Sequence, residues 1–279
     1  MLNSMITASL VVFKTKHEEL RRILQCCIEC SIDKVYIVDN SPTNELFSVV
    51  SEYETDKLDY IYGQGNVGFG HANNIGIRKA ILQKSKFHII LNPDIFFSVE
   101  SFEKMTQFME THKDIGMMAP TLVYPDGRPQ VTAMMLPTPY DMFGRRLLPK
   151  VFVDRINEHY ELKKCDLTKA REIPNICGCF MFCRTDVLQK AGLFDERFFM
   201  YFEDFDLVRR VHKVAKVVFY PDAFVVHAHA AEHRRNKFLL KQSIKSAIQY
   251  FNKWGWLFDS DRRKWNKAVF KHDSIIKEK

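Results

Sequence analysis

Strand-like runs alternate with helix-like ones through the first 91 residues, and that rhythm constrains the fold more than any other feature. Residues 5–13, 34–38, 58–62 and 87–91 are short apolar runs of strand character. Between them, 18–30 and 71–83 repeat apolar residues at helical spacing, and 45–53 reads as a helix. Strands separated by helices pair in parallel, with helices covering both faces of the sheet. Such sheets bind ligands beyond the carboxyl ends of their strands. The informative residues fall there: Asp39 after the second strand, 63–70 after the third, and Asn92, Pro93 and Asp94 after the fourth.

Beyond Asp94 the rhythm changes. A helix is predicted over 100–110, strands over 115–124, and a turn at Pro125, Asp126, Gly127 and Arg128. Residues 134–171 hold Pro137, Pro139 and Pro149 beside Phe143, Arg145, Arg146 and Leu147, and read as a mobile, partly helical excursion. A strand at 177–183, a short helix at 185–191 closed by Gly192, and strands at 217–220 and 223–226 follow. An amphipathic helix is predicted over 237–258. Leu240, Ile244, Ala247, Ile248, Phe251 and Trp254 form one face, with Lys241 and Lys245 on another. It docks on the domain, with its basic edge and Trp254, Trp256 and Phe258 near lipid.

Charge divides the chain. The net charge is +7, yet residues 234–279 carry 13 Lys and Arg against 4 Asp and Glu, a surplus of +9. The remainder carries 28 against 30, or −2, which argues against a nucleic-acid groove across the main domain. A basic tail suits an anionic surface or an anionic lipid carrier. No apolar run reaches 18 residues, so no transmembrane helix is expected. Residues 1–9 lack the pattern of a signal peptide. The seven cysteines show no zinc spacing and read as reduced thiols of a cytosolic protein.

Residues 193–207 set carboxylates among six aromatics. Glu203, Asp204 and Asp206 open a helix, since Leu207, Val208 and Val211 follow at helical spacing. Acids in a first turn suit the helix dipole, which accounts for one or two of them. It does not account for the aromatic wall before them, which fits a general base facing a polar ligand. Gly63, Gly65 and Gly68 match the glycine fingerprint of dinucleotide sites. Two strand–helix units precede it, however, and polar residues follow where close packing wants small apolar ones. A loop shaping a nucleotide-sugar pocket is the better reading, with a nicotinamide-dependent oxidoreductase as the alternative. A non-catalytic module using the basic tail is a third reading, but it leaves the acidic cluster unexplained. Asp39 caps a turn or accepts from a nucleoside. Asp94 ends an Asx-Pro turn or holds a hard divalent cation on a diphosphate. His227, His229 and His233 follow a strand, one of them a candidate ligand to the same ion.

Together these pieces resemble the family 2 inverting glycosyltransferases of the GT-A fold, above all rhamnosyltransferase-like enzymes of bacterial O-antigen and capsule synthesis. The likeness runs through 9–12, 38–41, 66–70 with Asn73, Asn74 and Gly76, then 91–94, 178–184, 194–207, His227 and 246–254. It implies an α/β nucleotide-diphospho-sugar transferase fold with a mostly parallel sheet. Residues 1–233 would form the catalytic domain (1–97 the nucleotide half, 98–233 the acceptor half), and 234–279 a basic helical extension. The resemblance implies that Asp39, Asn66, Gly68, Asn73, Asn92 and Asp94 bind the donor. It implies that Asp94 and His227 hold Mg²⁺ or Mn²⁺. Asp204 would be the general base, with Glu203 orienting the acceptor. Tyr201, Phe202 and Asp206 would line the acceptor site, Asp206 alternatively supporting the helix start. The implied donor is dTDP-rhamnose, or a UDP-sugar. The implied acceptor is a lipid-linked or surface glycan, such as a polyprenyl-diphosphate-linked one, at the inner face of the plasma membrane. Asn92 departs from the Asp-x-Asp of many GT-A enzymes and leaves one ionised ligand there.

Overall fold

The computed structural model describes residues 4–144, 148–228, 237–271 and 274–276. Strands β1 (Ile6–Val12), β2 (Lys34–Asp39), β3 (Leu58–Ile61) and β4 (Phe87–Leu91) pair in parallel in the order β3-β2-β1-β4. Every residue of β1 and β4 is buried, as expected of strands covered on both faces. Helix α1 (His17–Glu29) packs through Leu20, Ile23, Leu24 and Cys27, the stripe its spacing predicts. The helix predicted over 45–53 is a single turn, α2 (Phe47–Val50), and α3 spans Phe69–Leu82.

The second half extends the same sheet. After β5 (Ile95–Phe97), α4 (Val99–Thr111) starts on a Ser98 side chain that accepts from the Ser101 N–H. Strand β6 (Ile115–Val123) follows, then the two-residue strand β7 (Ala133–Met134). A π-helical turn (Tyr140–Gly144) and α5 (Lys150–Tyr160) form the excursion. Its Arg145, Arg146 and Leu147 lie outside the described residues. Short strands β8 (Arg171–Glu172) and β9 (Asn175–Ile176) lead to β10 (Phe180–Arg184), α6 (Thr185–Ala191) and α7 (Glu203–Val211). The two strands predicted over 217–226 are one, β11 (Lys216–His227), with a register shift between Tyr220 and Phe224 where Pro221 interrupts the ladder.

The full order is β3-β2-β1-β4-β10-β6-β11-β5, with β8 on β11, while β7 pairs β9 separately. Strand β10 runs antiparallel to β4 and β6, and six of the nine strands share one direction. The strand predicted from residue 177 begins at Phe180, because 177–179 turn instead.

The tail forms two helices rather than one. Helix α8 (Lys237–Trp254) stops before Gly255, whose φ of +102° suits glycine, and α9 (Ser260–Ala268) follows. The predicted apolar face of α8 divides: Ala247 and Phe251 are buried with Tyr250, whereas Leu240, Ile244 and Ile248 are exposed. No described helix is long and apolar enough to cross a membrane.

Candidate active site

Antiparallel pairing sets the start of β10 beside the end of β4, with Phe180 opposite Leu91. The Asn92 N–H donates to the Cys179 carbonyl at 3.0 Å, fixing 92–94 against the 177–179 turn. The end of β11 arrives at the same place: His227 pairs with Ile95, and the Ala228 N–H donates to the Asp94 carbonyl at 2.9 Å. Three chain segments distant in sequence therefore meet at the carboxyl edge of the parallel sheet.

Asp94 Oδ2 lies 3.3 Å from His227 Nε2. Its Oδ1 is buried and finds no hydrogen-bond partner among the described residues. His227 Nδ1 sits 2.9 Å from Gln130 Oε1; an amide oxygen only accepts, so Nδ1 carries a proton. That fixes the ring and turns Nε2 toward Asp94, the arrangement typical of an imidazole metal ligand. Burial disfavours the imidazolium, but the Asp94 carboxylate outweighs it and raises His227 above its ordinary value. An orphaned carboxylate oxygen beside an oriented imidazole fits a hard divalent cation whose remaining ligands come from a diphosphate and water. No cluster of three or more His, Cys, Asp or Glu side chains among the described residues holds a metal unaided. His229 and His233 lie outside the described residues.

Across the 177–179 turn stands the first turn of α7. Burial pushes Asp204 up to about 6, against N–H groups of Phe205, Asp204 and Gly178 that favour its charged form. The Phe205 N–H donates to Asp204 Oδ1 at 2.8 Å. Gly178 makes room for the carboxylate, since a Cβ there would stand 2.9 Å from Asp204 Cβ. The Asp204 and His227 charges both act on Cys177, and that of Asp94 acts on Cys179. Base candidate and cation candidate thus lie near the same short turn. Glu203 is buried deeper, its Oε2 has no partner among the described residues, and burial beside Asp204 raises it well above the usual carboxylate range. Tyr201 and Phe202 precede it at φ +68°, two left-handed non-glycine residues in a row. Such strain collects where surrounding packing enforces a functional geometry.

The donor-side residues separate into two groups. Asp39 ends β2 fully buried, with Oδ1 accepting from the Ser41 N–H at 2.8 Å and Oδ2 from Tyr60 Oη. Gln64 Nε2 donates to the Asp39 carbonyl at 2.7 Å, drawing the glycine loop onto the same edge. Asn66 is exposed, its Oδ1 accepting from the Gly68 N–H at 3.2 Å, and Asn92 is half-buried. Gly68 and Asn73 are different. A Cβ at Gly68 would overlap the Phe199 carbonyl oxygen, which accepts instead from the Phe69 N–H at 2.9 Å. Asn73 is fully buried, accepting from Ser9 Oγ and donating to the Phe69 carbonyl. The expectation that these two touch the donor is corrected: their polar groups are engaged inside the protein, and they support the pocket wall. The dinucleotide alternative fails on the same contact, because the Phe199 carbonyl takes an N–H of the α3 N-terminus that a pyrophosphate needs.

The acceptor-side expectations also need correction. Asp206 is fully buried and bound by Trp254 Nε1 at 2.8 Å, Lys253 Nζ at 2.5 Å and Arg210 Nε at 2.8 Å. It fastens α7 to α8, the supporting role, and offers nothing to a ligand. Phe202 is buried among Phe198, Tyr250 and Phe251, so it belongs to the packing under α8 rather than to a binding wall. Tyr201 is half-buried and packs against the same cluster. Gln130, Gly178 and the fully buried Arg209–Asp259 ion pair at 2.6 Å were not singled out from the sequence as parts of the site. Gln130 follows an ordinary turn sequence, and nothing local marks its contact with a histidine 97 positions away. A separate cavity of about 130 Å³, lined among others by Glu172, His212, Trp265 and Val269, contains none of the predicted residues.

Comparison with known proteins places this geometry in context. The family model described as glycosyl transferase family 2 matches residues 10–192. The low-salt glycan biosynthesis hexosyltransferase Agl10 of Haloferax volcanii is 26% identical over 208 residues, 74% of this chain and 61% of that protein. The chain thus spans less than two thirds of that relative's length. Rhamnosyltransferase WbbL of Escherichia coli K12 is 26% identical over 227 residues, 78% of this chain and 81% of its own. An N-acetylglucosaminyl-diphospho-decaprenol L-rhamnosyltransferase of Mycobacterium tuberculosis is 25% identical over 165 residues, 54% and 53% of the two chains. Among solved structures, GalNAc-T7 with UDP, GalNAc and Mn²⁺ superposes with a TM-score of 0.65 at 15% identity, covering 90% of this chain and 49% of that one. Mannosyltransferase PcManGT of Pyrobaculum calidifontis, with GDP-Man and Mn²⁺, gives 0.58 at 15% identity, covering 95% and 74%. These superpositions establish a GT-A fold.

Proposed function

Since the chain belongs to glycosyl transferase family 2, we propose that it moves a sugar from a nucleotide donor to an acceptor hydroxyl with inversion, using Asp204 as general base. The observation that carries this reading is a carboxylate packed against Gly178 on the same short turn that holds residues 92–94, beside a carboxylate–imidazole pair fit for a divalent cation. Raised to about 6, that base is ionised at neutral pH and still holds a proton usefully, which is the optimum for proton abstraction.

Asp204 accepts the acceptor hydroxyl proton as the oxygen attacks the anomeric carbon, and the nucleoside diphosphate departs from the opposite face. Glu203 beneath it orients the acceptor, and Tyr201 lines the acceptor site. Asn66 and Asn92 contact the donor, and Asp39, buried with both carboxylate oxygens engaged, holds the edge beside them. Asp94 and His227 would hold Mg²⁺ or Mn²⁺, which when bound offsets negative charge developing on the leaving group.

The donor we favour is dTDP-rhamnose, on the strength of the rhamnosyltransferase relatives. The acceptor we favour is a polyprenyl-diphosphate-linked or surface glycan, as the name of the mycobacterial relative suggests. On α8, Lys237, Lys241 and Lys245 run beside the exposed Leu240, Ile244 and Ile248, which suits peripheral seating on the inner face of an anionic membrane. The test is a thermal-shift panel of UDP, dTDP, GDP and their sugars, with and without Mn²⁺. A Mn²⁺-dependent rise with dTDP-rhamnose is expected. A rise with UDP-sugars alone would replace the donor, and no rise with any nucleotide sugar would overturn the reading.

A further inference from the structure

The 177–179 turn carries two thiols the proposed reaction does not use. Cys177 Sγ and Cys179 Sγ lie 3.5 Å apart with only Gly178 between them. Of the seven cysteines, Cys26, Cys27, Cys30, Cys179 and Cys183 are buried, while Cys165 and Cys177 are half-buried. Cys177 therefore combines partial access with a second thiol already in contact. A disulfide needs its sulfurs about 2 Å apart, a small local movement from here. The peptide between the thiols is not a neutral spacer. The Gly178 N–H supports the Asp204 carboxylate, and the Gly178 Cα packs against it so closely that a Cβ would stand 2.9 Å from Asp204 Cβ. On either side the turn is pinned, by the Cys177 N–H to the Thr132 carbonyl at 2.9 Å and by the Cys179 carbonyl to the Asn92 N–H at 3.0 Å. Closing the ring cannot be absorbed by a free loop; it must rotate the Gly178 peptide.

We propose that Cys177 and Cys179 form a reversible oxidation site whose disulfide displaces Gly178 from Asp204 and switches off proton abstraction. The oxidant is a peroxide. Cys177 attacks one oxygen of hydrogen peroxide, the O–O bond breaks, and a sulfenic acid and one water result. Cys179 then attacks that sulfur, the S–S bond forms, and the hydroxyl leaves with the Cys179 proton as a second water. Two thiols are oxidised, losing two electrons, and one peroxide is reduced. A ring spanning so few residues is strained, so a dithiol reductant reopens it. The switching claim rests on Asp204 being the base; the site itself does not.

The experiment treats the full chain with hydrogen peroxide, blocks remaining thiols by alkylation, and maps disulfide peptides by mass spectrometry beside a donor-transfer assay. Expected are a 177–179 disulfide with the loss of two hydrogens and a fall in transfer on the order of a hundredfold, the scale of a misplaced catalytic group. Dithiothreitol restores both, and Cys177→Ser and Cys179→Ser show neither change. Both thiols still alkylated after peroxide, or a pairing confined to Cys26 and Cys30, would overturn the site. A 177–179 disulfide with transfer undiminished would overturn the switch. If the reduced protein transfers no sugar from any donor, the glycosyltransferase reading fails, while the peptide map still decides the oxidation site.

Discussion

At the residue scale the chemistry turns on Asp204. Replacing it by Asn keeps the shape and removes the proton acceptor, so transfer should fall by roughly 10²–10⁴-fold, measured as initial rate with saturating donor. In the wild type, the rate should drop as pH falls through about 6, where the carboxyl takes up its proton. Stability runs the other way. A carboxyl whose folded value lies above its unfolded value favours the fold when protonated, and that contribution is lost as pH rises through the interval up to about 6. Asp204→Asn should therefore gain melting temperature relative to wild type more at pH 8 than at pH 4. Gly178→Ala supplies an independent check: its methyl meets Asp204 Cβ at 2.9 Å, so it should lower transfer while leaving donor-induced thermal shifts intact.

At the scale of elements, α7 is held in place by the tail. Arg209 and Asp259 are both buried, and the guanidinium lies 4.1 Å from the centre of the Trp254 ring. Asp259 also accepts from the Arg262 N–H as the cap of α9. Asp259→Ala would strand a buried cation and remove that cap, and about 3–5 kcal/mol of unfolding free energy should disappear, read from urea midpoints. This clamp marks the limit of what sequence reading reached. The strands β1 to β4, α1 and α3 were legible because period-2 and period-3.6 patterns are local. Asp39 and Asp94 stood out at the ends of apolar strands, and Asp204 in an acidic cluster that opens a helix behind a run of aromatics. The resemblance implied acceptor contacts for Asp206 and Phe202, but the start of α7 turns both toward α8, more than 40 positions on. The single strand β11 was read as two because Pro221 resembles a boundary and here makes only a register shift.

At the scale of the molecule, α8 exposes a basic stripe in its N-terminal half, and an exposed apolar tip follows Gly255. Leu257 and Phe258 are 73% and 86% exposed, more than a soluble surface ordinarily leaves to such side chains in sequence. Lys237→Glu, Lys241→Glu and Lys245→Glu together should abolish co-sedimentation with phosphatidylglycerol vesicles and leave the nucleotide-sugar thermal shift unchanged. Wild-type co-sedimentation should weaken as salt rises, since exposed charges are screened. The same architecture has a consequence for recombination between relatives. The family match ends at Gly192, while Asp195, Asp206 and Arg209, and their partners Lys253, Trp254 and Asp259, all follow it. A crossover at that glycine inherits the base helix together with its clamp to Lys253, Trp254 and Asp259 as one cassette. The interfaces left to match across the joint include β11 against β6 and β5, Gln130 with His227, Gly178 with Asp204, Asn74 with Phe194 and Phe69 with Phe199. A crossover placed between α7 and α8 would instead separate Asp195 and Asp206 from Lys253, and Arg209 from Asp259.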